Sequence, residues 1–257
     1  MSDAIDEARD WLGNEIDCGP CAHNALQAHG HCHLKHACVN DRYARRIDRF
    51  FDWNRALADS YLAHPHFEVR AIAAKHASVF RLPPLLDDPE ETVRWNAARR
   101  LPKRLILRLR TDPHREVRIR IVTLLDEAEL VPVLADGDYY VRLVIARRVG
   151  PALLARLVDD AEAEVRRVVA QRIQAEWLFR MASDPEPTVR LDVARRLAPD
   201  LLARLRHDPD WRVRHEVASR VAEQQILELA DDRDAMVREV ARSRLAGVQM
   251  RARGAPL

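Results

Sequence analysis

Apolar residues recur along most of this chain on a fixed frame of 24 residues. With each unit numbered from a valine as zero, the frame opens at Val69 and returns at Val93, Val117, Val141, Val165, Val189, Val213 and Val237, without insertion or deletion. Positions 0, +4 and +8 are apolar in every unit, as in Val117, Ile121 and Leu125, and trace one face of a helix. Position −5 is Asp in seven of eight units, His64 being the exception, and −4 is Pro in five, which reads as an N-cap followed by the first helical residue. Acidic residues at −3 in six units suit the positive end of the helix dipole. Pro102, Gly150-Pro151, Pro199 and Gly247 follow the last apolar position and predict where the helix stops, giving a helix of about 13 residues.

The way back is short. Position +13 is apolar in all eight units, from Leu82 to Met250, and +16 wherever the chain continues, from Leu85 to Leu229. A spacing of three predicts a 3₁₀ turn. The segment cannot hold a second full helix with loops, unlike repeats of roughly 40 residues, and it lacks the strand motif of the usual leucine-rich repeat. Such a unit cannot close a core alone, so neighbours must stack.

Ahead of the frame, residues 1 to 17 read as a short amphipathic helix with Ile5, Ala8, Trp11 and Leu12 on one side. From Asn40 to Asp59 the chain again reads as helical, with Ile47, Phe50, Phe51, Trp53 and Leu57 apolar. Trp53 falls on position +8 one period early and Leu57 beside position +13, so this stretch is expected to be a degenerate unit whose aromatics cap the stack. The expected organisation is a cysteine-rich module over 1–45, a degenerate capping repeat over 46–63, eight repeats over 64–250 with the last incomplete, and a tail over 251–257.

Composition changes little in this picture. Seven glycines and 14 prolines exclude a collagenous or disordered chain. A net charge of +2 gives no strong pull toward nucleic acid or a membrane surface. No apolar run approaches a membrane span, and the acidic start, Met1 to Asp17, lacks the form of a signal peptide, so a cytoplasmic protein is expected.

All four cysteines lie outside the frame, as Cys18, Cys21, Cys32 and Cys38 in a C-x2-C-x10-C-x5-C arrangement. In a reducing compartment that clustering points to a metal site rather than disulfides. Gly19-Pro20 supplies a tight turn from which two thiolates can reach one centre. A thioredoxin-like reading of Cys18-Gly-Pro-Cys21 needs a preceding strand and leaves Cys32 and Cys38 unused. Spacing alone leans to zinc, because the ferredoxin run of closely spaced cysteines is absent. His23, His29, His31, His33 and His36 are expected to be solvated or to lie around the ligands.

Arginine fills +1 in every unit: Arg70, Arg94, Arg118, Arg142, Arg166, Arg190, Arg214 and Arg238. At about 100° per residue, +1 borders the buried stripe, so a structural ladder is expected. Its partner is either the −3 carboxylate of the same unit or Asp at −5 of an adjacent one. A second basic set at +6 and +7 is less constrained, and the exposed face marked by Arg99, Arg147 and Arg195 is the candidate binding surface. No nucleophile–histidine–acid set, glycine-rich phosphate loop or helical zinc-protease motif occurs, so no catalytic residue is expected.

The unit D-P-x-x-x-V-R-x-x-V-A-x-R-L, with the four-cysteine module before it, resembles the leucine-rich repeat variant proteins over nearly the whole chain. That resemblance implies an all-α, right-handed superhelical solenoid of alternating α and 3₁₀ helices, headed by a small module that binds a [4Fe–4S] cluster. It implies Cys18, Cys21, Cys32 and Cys38 as the ligands and makes zinc the runner-up. The function expected from these readings is an iron–sulfur repeat protein that docks a protein partner, with the cluster structural or sensing. The alternatives are an electron-transfer protein and a nucleic-acid binder.

Overall fold

The computed structural model describes residues 7–252, with side chains through Gly247. The chain divides into two compact units, Met1–Glu129 and Leu130–Leu257. The first holds helices α1 (Asn24–Ala28), α2 (Ala44–Trp53), α3 (Phe67–His76), α4 (Glu91–Ala98) and α5 (Arg115–Val122). The second holds α6 (Tyr139–Arg148), α7 (Ala163–Arg172), α8 (Pro187–Arg196), α9 (Trp211–Arg220) and α10 (Ala235–Ala252). Within each unit, consecutive repeat helices pack side by side. They are joined by a tight return, such as the α turn Pro151–Leu154 running into the 3₁₀ segment Ala155–Leu157. After α3 the return is 3₁₀ throughout, over Val79–Arg81 and Pro83–Asp87. Among the described residues there is no helix long and apolar enough to cross a membrane.

The apolar frame is the core. Valines at position 0, from Val69 to Val237, are at most 1% exposed, and Leu82, Ile106, Leu130, Leu154, Leu178, Leu202 and Ile226 at +13 are equally buried. Each such leucine contributes about 2 kcal/mol of transfer free energy. Alanine or valine at +5, as in Ala98, Ala146, Ala170, Ala194 and Ala218, is also fully buried, and its small side chain lets adjacent helices approach closely. The expected +13 residue of the last unit, Met250, lies outside the residues whose side chains are described.

Three sequence expectations are corrected. The helix N-cap is position −3, not −5: Asp138, Glu186 and Asp210 accept the N–H of Tyr140, Thr188 and Arg212. The Asp at −5 makes a turn two residues earlier, its Oδ1 accepting the −3 N–H, as Asp88 does from Glu90 at 2.9 Å. Helices therefore run from −2 and span eight or ten residues in α3 through α9. Gly247 does not stop its helix, since α10 continues to Ala252. Without a following proline, one half-buried glycine costs only about 1 kcal/mol and does not break a helix. Residues 7–17 form no helix: Arg9 and Glu15 make an isolated antiparallel bridge, and the Asp10 carboxylate accepts the N–H of Leu12 (2.9 Å) and of Asn14 (2.8 Å). Gly13 turns the loop with φ of +91°, a conformation that favours glycine. Ile5, named for the same helix, lies outside the described residues.

The freed −5 carboxylate binds the +1 arginine of the preceding repeat. In the first unit Arg70 pairs with Asp88 (2.7 and 2.9 Å) and Arg94 with Asp112 (2.7 and 2.7 Å). In the second, Arg142–Asp160, Arg166–Asp184, Arg190–Asp208 and Arg214–Asp232 repeat the same two-pronged geometry. The remaining terminal nitrogen donates to carbonyls at −5 and −4 of the arginine's own unit, as Arg94 does to Asp88 and Pro89. Of the two partners considered from sequence, the adjacent-unit aspartate is the one used. Arg238, in the last repeat, keeps the carbonyl bond to Asp232 at 2.6 Å.

Position +7 carries a second ladder that the sequence reading had grouped with the exposed arginines. Arg100 donates to the carbonyls of Ala74 (2.9 Å) and Ala77 (2.5 Å). Arg196 reaches Ala170 (2.5 Å) and Ile173 (2.6 Å), and Arg220 and Arg244 bind the preceding helix end in the same way. Each guanidinium thus meets the orphan carbonyls and negative dipole at the C-terminus of the helix before it.

Arg166→Ala strands the Asp184 carboxylate in its nearly buried site and is expected to lower stability by about 2–3 kcal/mol, at the low end for buried pairs because water still touches the rim. Arg147→Ala, on the exposed face, should leave the denaturation midpoint unchanged, and equal midpoints for the two variants would show that the +1 guanidinium is merely solvated. Acid should act on the same rungs. Burial is the largest single effect on the Asp160 carboxyl and would raise it, but the Arg142 hydrogen bonds, the Glu162 N–H and the charges of Arg142 and Arg166 together leave it lowered, while at Asp232 the Arg214 hydrogen bonds are the largest effect. A carboxylate held below its unfolded value stabilises fully above that value, about 3.9, and loses the contribution as pH falls from there through the lowered folded value. Unfolding free energy should therefore be level above about pH 4.5 and decline below about pH 4, and a profile flat into stronger acid would contradict these assignments.

Candidate metal centre

The cysteines sit on loops that local hydrogen bonds fold tightly. Asp17 accepts the N–H of Gly19 at 2.8 Å, which turns the chain between Cys18 and Cys21. The Cys21 carbonyl then accepts the N–H of Asn24 and starts α1. Further on, His33 and Ala37 exchange backbone hydrogen bonds of 2.9 and 2.8 Å, with Lys35 in the left-handed region at φ +64°. This small hairpin closes the five-residue gap and brings Cys32 and Cys38 into hydrogen-bond contact. Cys32 and Cys38 are buried, whereas Cys18 and Cys21 are half-buried, and all four are free thiols.

Burial sets the electrostatics. The Cys38 thiol is pushed up to about 12 by burial, against the backbone N–H of Asn40, which favours the thiolate. Cys32 is raised by burial and then by Cys21 and Cys18, and Cys18 by burial and then by Cys21. The sulfurs therefore share one field, and their charged forms are costly without a cation between them. Donors already aim at sulfur: the His23 N–H lies 3.4 Å from Cys21 Sγ and the Asn40 side-chain amide 3.6 Å. Among the described residues, no three His, Cys, Asp or Glu side chains converge as they would around a single metal ion. A four-thiol set with N–H donors to sulfur is the chemistry that iron–sulfur clusters take, and the residues present fit it.

Around the thiols lies a ring of aromatic and polar groups, most of which the sequence reading had not assigned to the site. His23 hydrogen-bonds the Tyr61 hydroxyl and rests against Phe50, ring centroids 5.1 Å apart. The Tyr61 phenol is pushed up to about 12, first by burial and then by the nearby Cys21, Cys38 and Cys32. Trp11 stacks on His66 at 5.4 Å and meets His64 edge-on at 6.3 Å, which joins the N-terminal loop to the first repeat. His29, His31, His33 and His36 are exposed, as expected.

Behind Cys38, the Asp41 carboxylate is almost fully buried and pairs with Arg46 at 2.9 Å. Arg46 stands one period before Arg70, and that was the signal available in the sequence. Its regular partner position is His64, which offers no carboxylate, so Arg46 turns to Asp41 instead. Ile47, Phe50 and Phe51 are buried, while Trp53 is 39% exposed against His36 and Leu57 is only half-buried, so these two do not form the cap. The 45/46 boundary expected from sequence falls inside this helix.

The candidate binding residues Arg99, Arg147 and Arg195 are all exposed. Arg99 lies over Trp95, which Arg120 also approaches, and Arg195 is 3.5 Å from the buried Asp192.

A model of the family described as LRV protein FeS4 cluster matches residues 8–60. An uncharacterized 27.7 kDa protein from the nifB 3' region of Rhodobacter capsulatus is 53% identical over 96 residues, 37% of this chain and 39% of that protein's length. A solved leucine-rich repeat variant with a novel repetitive structural motif is 41% identical and superposes with a TM-score of 0.84, over 90% of this chain and 99% of that one. An engineered protein of known crystal structure, 14% identical with a TM-score of 0.38 over 82% of this chain and 87% of its own, is too distant to inform the comparison. The likeness supports an iron–sulfur cluster and not zinc.

In cluster-free protein, alkylation should follow exposure and thiolate character, with Cys18 and Cys21 modified first, Cys32 later and Cys38 last. Mass spectrometry of a time course reads the order directly, and early labelling of Cys38 would contradict its burial.

Proposed function

The chain belongs to the leucine-rich repeat variant proteins and carries their iron–sulfur module at its head, and from that premise we propose that it is a non-catalytic scaffold whose repeats dock a protein partner. In this reading Cys18, Cys21, Cys32 and Cys38 ligate one [4Fe–4S] cluster with a structural or sensing role. The observation that carries it is the donor set: four thiols in one shared field, two of them buried, with N–H groups already directed at sulfur. When bound, such a cluster supplies one-electron chemistry and a metal-dependent fold. If all four thiols serve as ligands, no iron is left open for a substrate, unlike a catalytic metal that keeps a free position. The stacked repeats of each unit meanwhile offer the kind of surface that such arrays use for binding. The absence of a strong net charge favours a protein over a nucleic acid as the partner.

Protein purified without oxygen should contain about four iron and four sulfide per chain, and alanine at any of the four cysteines should lower both. Stoichiometric zinc without labile sulfide would sink the cluster assignment. Anaerobic capture by the intact protein and by a Cys18→Ala/Cys21→Ala variant would test the scaffold role. Reversible reduction coupled to conversion of a small substrate would replace it with an enzyme.

A further inference from the structure

Within Leu130–Leu257, position +15 of three consecutive repeats is arginine: Arg156, Arg180 and Arg204. All three are exposed on the return segments, away from both structural ladders. None has an ion pair with a described residue, whereas the +1 arginines of the same repeats are all paired. Two are held in place by aromatic rings. The Arg180 guanidinium lies 5.1 Å from the Trp177 ring of its own repeat, and that of Arg204 lies 5.3 Å from Phe179 of the repeat before. A guanidinium resting on a ring keeps its N–H edge free, so it can meet a carboxylate with two parallel hydrogen bonds.

We propose that this row is the docking site for an acidic segment of a protein partner in polyproline II conformation, with Asp or Glu at every third position. The spacing selects that shape. Helices packed side by side stand about 8–10 Å apart, which sets the backbone step from one return to the next, and the flexible arginines, one resting on its own repeat and one on the repeat before, adjust around that step. Polyproline II places every third side chain on one edge at intervals of about 9.3 Å, and its segments commonly dock on aromatic shelves. A β-strand repeats one face at about 6.6–7 Å and falls out of step. Charge selects the chemistry. Exposed Glu176 and Asp200 lie on the same returns between the arginines. They would repel a continuous phosphate backbone, whereas a peptide with spaced acids leaves room for them.

The inference rests on the reading that the repeats dock a protein partner. Because the assay needs no native partner, its failure removes this row while leaving capture by another face open to its own test. Anisotropy of a labelled peptide of repeated Glu-Pro-Pro triplets is measured with the intact, cluster-loaded protein. A Gln-Pro-Pro peptide and a single-stranded oligonucleotide of equal charge serve as comparisons. Wild type should bind the glutamate peptide, not the glutamine one, and Arg156→Gln/Arg180→Gln/Arg204→Gln should weaken it about tenfold. Arg45→Gln/Arg81→Gln/Arg104→Gln, an equal loss of charge at exposed side chains outside the row, should change nothing. Should the triple glutamine variant not fold, the triple lysine variant carries the test, because it keeps the charge and loses the planar fork; it should bind about threefold more weakly. Undetectable binding by wild type, equal affinity in the triple variant, or tighter binding of the oligonucleotide would overturn the proposal.

Discussion

The rest of the structure depends on one carboxylate. In each of the six described rungs the Asp at −5 accepts three hydrogen bonds, as Asp112 does: two from the +1 guanidinium of the repeat before and one from the backbone two residues ahead. The first pair fixes neighbouring repeats to one another, and the third sets the turn that aims the next helix. The two tasks are compatible only at one sequence separation, 18 residues from arginine to aspartate in every described rung. An inserted or deleted residue would break both at once, which gives a physical reason for the strict 24-residue frame. The value of such a pair lies less in net stability than in register. Replacing both partners by apolar groups can cost little, but removing either one leaves a desolvated charge.

A second constraint follows from helix length. Helices of eight or ten residues are too short to be stable alone, and each leaves carbonyls unmet at its C-terminus. The +7 arginines meet them from the next repeat, so the end of every helix so capped is completed by its neighbour. Local propensity, dipole and packing are thereby satisfied by contacts that cross the repeat boundary. Within the described residues no buried side-chain nitrogen or oxygen lacks a partner.

Periodicity made most of this legible in advance. The stripe at 0, +4, +8, +13 and +16 needs only the frame to be seen, and the core matches it residue by residue. The same frame put arginine beside the buried face, but it could not choose between two acidic partners, because that choice depends on how neighbouring repeats sit. The true N-cap was hidden for a related reason: Asp-Pro is a strong helix-start signal locally, and here a non-local arginine claims the carboxylate. The +7 arginines follow Arg99 and Arg147 directly in sequence, but about 100° of helical rotation brings them beside the buried stripe, where they face the preceding helix end. At the head of the chain the frame gives out, so Tyr61 and Asp41 were legible as aromatic or acidic residues but not as neighbours of thiols, nor Trp11 as a partner of His64 and His66. Arg46 was the exception, since it keeps the frame one period early.

That end of the chain shows what happens when the ladder loses a rung. His64 stands where an aspartate should receive Arg46, and imidazole cannot accept two parallel bonds from a guanidinium. Arg46 is satisfied by Asp41 inside the cysteine module, and the open repeat is closed by Trp11 on His66 and by the His23–Tyr61 bond. Ring contacts of this kind contribute about 0.5–1.5 kcal/mol each, less than a nearly buried two-pronged ion pair costs to break. The same module buries thiols whose ionisation is strongly opposed in the absence of a cation. Metal binding must expel those protons, and its free energy adds to the folding of whatever the thiols hold together. The carboxylate that closes each later repeat is therefore replaced, at the first one, by a module whose folding is linked to metal.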